Sequence, residues 1–114
     1  AIRIRIRIRV GEKIIEDIAL LNSGYESDTP QILIPINIGE KLGLWPPPKD
    51  TREYIFETAG GPLRVWLIRN AGYVSIIVKD IEPKEILTDI VISPLADEIL
   101  IGDVLAGELE IAVE

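Results

Sequence analysis

The stretch AIRIRIRIRVGEKIIEDIALLNSG, residues 1–24, decides how this chain folds. Ile2, Ile4, Ile6 and Ile8 alternate with Arg3, Arg5, Arg7 and Arg9. Period two places the isoleucines on one face of a strand and the four guanidinium groups on the other. The spacing predicts a strand over Ile2–Val10, a tight turn at Gly11, Glu12 and Lys13, and a returning strand over Ile14–Leu21. The apolar run then stops abruptly at Asn22, Ser23 and Gly24, residue types that form turns.

Beyond the polar loop NSGYESDTPQ, the pattern stays that of short strands. Gln31–Ile36 is a β-branched run, and Pro35 marks it as short or at a sheet edge. NIGEKLGL predicts a short helix from about Asn37 to Leu42, closed by Gly43. WPPPKD is a stiff connector that is neither helix nor central strand. Tyr54–Thr58 and Leu63–Ile68 flank AGGP and predict a glycine-tipped hairpin. AGYVSIIVKD and EILTDIVIS read as two further strands, SPLADE as a loop, and ILIG as a short buried strand. Asp103 is placed to cap a helix of one or two turns. From Leu109 onward the alternation predicts a last strand, with Leu109, Ile111 and Val113 opposite Glu108, Glu110 and Glu114. No tandem repeat of about 20–50 residues is present. The expected fold class is mainly β, a closed barrel with one or two short helices, formed by a single domain over 1–114.

Composition narrows the chemistry. The chain has 114 residues, 47% of them apolar and 27% charged, as in a soluble globular domain. No run approaches the ~18 apolar residues of a membrane span, so no membrane association is expected. The start alternates and shows no apolar core of a signal peptide, which points to a cytoplasmic protein. The missing initiator Met suggests trimming or an artificially chosen start. Cys, His and Met are all absent. That removes thiol nucleophiles, Ser–His pairs, disulfides and His- or Cys-ligated zinc. Carboxylate, Lys, Tyr, Ser and Thr remain, and no metal or cofactor is expected. Abundant Ile, Glu, Lys and Arg lean thermophilic. The net charge of −7 argues against nucleic-acid binding. The arginine stripe therefore reads as a solvated strand face paired with acids, with the last strand as the expected source of partners.

ALLNSG, the hairpin ETAGGP and ILIGDVLAGEL occur in an order that resembles the retropepsin-like aspartic proteases, including predicted archaeal members. In that family two apolar residues precede Asp–Thr/Ser–Gly, and an Ile–Leu–Gly-like run enters a short helix. Both signatures match here except at Asn22. The resemblance covers most of the chain and implies one half of a pepsin-like bilobal architecture, completed by a homodimer. It puts Asn22 in the place of the catalytic Asp, Ser23 in the Thr/Ser slot that braces the loop, and Gly24 where the backbone turns near substrate. Ala59, Gly60 and Gly61 fall at the tip of a flap over bound peptide, and Ile101 and Gly102 support the active-site loop.

The family's chemistry explains why Asn matters. Two carboxylates ~3 Å apart share one proton. The ionised one activates a water and the protonated one polarises the scissile carbonyl of a peptide or unfolded polypeptide. Asn is nearly isosteric but does not take a proton from water at neutral pH. The resemblance thus implies a peptidase fold inactive as written, and natural loss and deliberate substitution explain Asn22 equally well. A non-enzymatic peptide-binding or dimerisation module is the alternative. Asp17, Asp28, Asp97 and Asp103 are candidate replacement acids, with Asp28 foremost, although turn and capping roles explain each. Tyr25 and Trp66 read as packing or groove-lining residues.

Overall fold

The computed structural model describes residues 2–21, 26–49, 51–58, 61–80 and 82–109. Nine elements run in the order β1 (Ile2–Val10), β2 (Lys13–Leu21), β3 (Gln31–Ile34), α1 (Ile36–Lys41), β4 (Arg52–Thr58), β5 (Gly61–Ile76), β6 (Ile86–Ile92), β7 (Ile99–Ile101) and α2 (Asp103–Glu108). The hairpin β1–β2 closes through a Val10–Lys13 pair. Gly11 has φ +60°, the left-handed backbone that a two-residue hairpin turn requires.

The sheet order is β1-β2-β7-β3-β6-β5-β4, and a further β1–β5 pairing closes six of the strands into a barrel. The mainly β expectation, a closed barrel with two short helices, holds. Closure leaves β4 outside, paired to β5 alone. β7 pairs parallel with β2 and antiparallel with β3, so it lies between two strands that are consecutive in the sequence.

Burial follows the alternation. Ile6 and Ile8 are fully buried and the arginines of β1 face outward. Ile32, Ile34, Ile90, Ile92 and Ile101 complete the centre of the core, with Leu105 of α2 against it. Each such side chain contributes about 1.5–3 kcal/mol on leaving water. A smaller cluster on the other face of the sheet gathers Val65, Leu67 and Val91.

Several sequence expectations need correction. Leu63–Ile68 and AGYVSIIVKD are one strand, β5, interrupted by a bulge. Between Ile68 and Gly72 the chain takes four steps along β5 against two along β6. An even excess keeps the same parity facing the core, so one strand serves both halves of the sheet. β3 is short but central, because Pro35 falls past its end and leads into α1. Asp103 is the first residue of α2, with Gly102 at the N-cap position. Leu109 closes α2 and Glu108 is its last turn, so neither begins a strand. The rest of the expected last strand, 110–114, lies outside the described residues.

Candidate functional site

β2 runs to Leu21, and Leu21 lies opposite Ile101 in the parallel β2–β7 pair. β2 therefore ends beside Ile101 and Gly102, which are both buried. Asn22, Ser23, Gly24 and Tyr25 themselves lie outside the described residues. Where the chain resumes, the Ser27 amide donates to the Asp103 carboxylate at 3.1 Å, and the Ser27 hydroxyl donates to the Thr29 carbonyl at 2.7 Å. The Gly102 amide donates to the Gln31 carbonyl at 3.1 Å. The far side of the loop is thus tied to the start of α2, and its near side to the end of β7. Two segments about 80 residues apart in the chain form one structure.

The β4–β5 hairpin carries the second candidate element. Thr58 pairs with Gly61, and Ala59 and Gly60 between them lie outside the described residues. Gly61 is the first residue of β5. At the base of the ribbon Trp66 meets Trp45 edge-on, with ring centroids 5.2 Å apart and planes at 82°. Trp66 is a packing residue, which is the role its sequence context suggested.

The four alternative acids occupy different places. Asp103 is the one tied to the Asn22 loop, and its Oδ1 also accepts the Val104 amide at 2.8 Å. Asp28 is exposed within that loop. Asp17 is exposed on β2, four residues before the end of that strand at Leu21. Its Oδ1 accepts the neighbouring Ile18 amide at 2.7 Å. Asp17 and Asp97 line a surface groove of about 320 Å³ with Arg3, Asn37 and Glu98. Among the described residues no group of three or more acids is arranged to hold a metal ion.

Among the described residues, three of the four arginines of the stripe find acids. Arg3 meets Glu98 at 3.4 Å, Arg7 meets Glu16 at 2.7 Å, and Arg9 meets Glu85 at 2.9 Å. The pairing arises because β1 lies between β2 and β5, so its outer face borders Glu16 on β2 and the segment leading into β6. Glu108 is on α2, and Glu110 and Glu114 lie outside the described residues. Arg9 makes two hydrogen bonds to Glu85 and stacks over Tyr73, 4.6 Å from the ring centre. The Arg9 hydrogen bond holds the Glu85 carboxyl below its ordinary range.

Sequence inspection passed over Asp89. It is 4% exposed on β6, in the middle of an apolar run. Its two oxygens accept the Asn70 amide at 2.7 Å and the Thr29 hydroxyl at 2.8 Å. Asn70 sits in the β5 bulge with φ +47°. The acid thus replaces the ladder bond that the bulge removes and ties it to the loop entering β3. The one available signal was the lone charge in ILTDIVI.

No family model matches the chain, and no curated protein matches it in sequence. None of the described helices is long and apolar enough to cross a membrane.

Proposed function

We propose that this chain is a retropepsin-like aspartic-peptidase domain that works as a homodimer, binds extended peptides, and does not hydrolyse them as written. One observation carries the reading. The Leu21–Ile101 pair joins the segment entering Asn22–Ser23–Gly24 to Ile101–Gly102, the two parts that the family resemblance assigns to one active-site loop. The β4–β5 pair outside the barrel is the element that the resemblance reads as a flap. In the dimer, two such loops face each other across the two-fold axis, and the cleft lies between them.

Asn22 sets the activity. A pair of asparagines offers hydrogen bonds to a peptide but no group to take a proton from water. The missing general base alone is worth about 10²–10⁴ in rate. Asn22→Asp should therefore give a dimer that cleaves an unfolded protein at acidic to neutral pH, blocked by a transition-state-mimicking aspartic-protease inhibitor. The second reading, a peptide-binding or dimerisation module with no catalytic past, draws on Asn22 itself. It takes the lead if the variant dimerises and cuts nothing over that pH range.

A further inference from the structure

At the root of the β4–β5 hairpin a cavity of about 240 Å³ is lined by Pro48, Thr51, Arg52, Leu67, Ile68 and Arg69. Its floor is apolar, since Leu67 is 8% exposed and packs in the smaller cluster with Val65 and Val91. Two positive charges stand over that floor. Arg52 lies opposite Leu67 in the β4–β5 ladder, so the two side chains share a face. Arg69 follows at the start of the bulge.

Elsewhere the arginines Arg3, Arg7, Arg9 and Arg64 each reach a glutamate, while Arg5 on the outer face of β1 meets no acid among the described residues. Among the described residues no acidic side chain reaches Arg52 or Arg69. The third feature is Thr51. Its amide donates to the Pro48 carbonyl at 3.0 Å, which holds the connector in a turn. Its Oγ1 is inaccessible and has no hydrogen-bond partner among the described residues.

We propose that this cavity is a binding site for a carboxylate on a small aliphatic body. The two guanidinium groups take the carboxylate oxygens in charge-assisted hydrogen bonds, and Pro48 and Leu67 receive the apolar part. The planar acceptor suits guanidinium forks, and the apolar floor selects an organic acid over inorganic phosphate. The ligand is either a free organic acid or the C-terminal carboxylate of a peptide. The site is separate from the Asn22 loop, so it stands independently of the peptidase reading.

An amide-resolved NMR titration of the whole chain tests this. Isovalerate probes the free acid, N-acetyl-leucine probes the chain terminus, and their amides and inorganic phosphate are controls. Saturable shifts confined to residues 51–52 and 67–69, with a dissociation constant on the order of 1 mM or tighter, support the site. The tighter of the two acids names the source. Arg52→Gln and Arg69→Gln should each weaken binding about tenfold. Both arginines are exposed, so these variants should keep the wild-type melting profile, which the same samples check. The proposal is overturned if the amides or phosphate shift the same residues equally, if no acid saturates, or if folded arginine variants bind as well as wild type.

Discussion

Asp89 shows how one side chain can hold a backbone irregularity in place. With 4% exposure it has few routes to water, and both of its oxygens are engaged. Asp89→Ala leaves the Asn70 amide and the Thr29 hydroxyl unpaired, and should cost about 2–5 kcal/mol in chemical denaturation. Asp89→Asn retains an acceptor for Asn70 and a donor toward Thr29, and should cost less than the alanine change. Gly72 is a second point of intolerance. A Cβ built there meets the Arg9 carbonyl oxygen at 2.6 Å and Val10 Cγ2 at 2.9 Å. The obstructing atom is backbone of β1, so Gly72→Ala should push β1 from β5 and cost about 1–3 kcal/mol. Glu85 gives the pH prediction. Its folded-state carboxyl is depressed by Arg9, so its stabilising effect is present above the unfolded glutamate value. It is lost as pH falls through the depressed value. Glu85→Gln should therefore show a shallower loss of melting temperature on acidification than wild type.

At the scale of elements, β1 illustrates how an alternating strand acquires partners. Its isoleucines point into the barrel whatever strand lies beside it. Arg7 takes an acid of the neighbouring strand β2, whereas Arg9 and Arg3 reach Glu85 and Glu98 in the segments before β6 and β7. The Arg7–Glu16 pair crosses directly between paired residues of β1 and β2. Both side chains are more than a third exposed, so charge reversal at either site should cost no more than about 1 kcal/mol. The double exchange Arg7→Glu with Glu16→Arg should recover most of it in a double-mutant cycle. A loss in the double variant equal to the sum of the two single losses would show the charges to be uncoupled. β5 shows the converse, an element whose identity was hidden. The bulge residues Arg69, Asn70 and Ala71 resemble a turn between two strands, and only the continued pairing with β6 makes them one.

At the scale of the molecule, the proposed cleft requires two chains, because one Asn22 loop forms half of it. Light scattering at micromolar concentration should therefore report about twice the 12.7 kDa chain mass. A strictly monomeric protein removes the cleft. The barrel has a further consequence for the loop at residue 22. Leu21, Ile101 and Leu105 are buried in one core, so the loop is held at both ends by packed elements. Leu105→Ala should lower stability by about 2–5 kcal/mol. In the Asn22→Asp background it should also lower any peptidase activity more than a surface change of equal size.

The sequence by itself determined the alternating strands, the hairpin turn at Gly11, the glycine-tipped hairpin and the two short helices. Each of these depends on contacts or periodicities within a few residues, and residue type reports them directly. It also determined which chemistries are absent, since without His or Cys no side-chain order can supply them. Only the tertiary structure decided that β7 inserts between β2 and β3, that β5 spans two segments, and that the arginines of β1 pair with Glu16, Glu85 and Glu98. Those outcomes depend on which strands become neighbours in a closed barrel. Neighbour choice is set by burying all the apolar faces at once, and no local run of residues records it. Asp89 belongs to the same class: a lone acid in an apolar strand has meaning only once the bulge opposite it is in place.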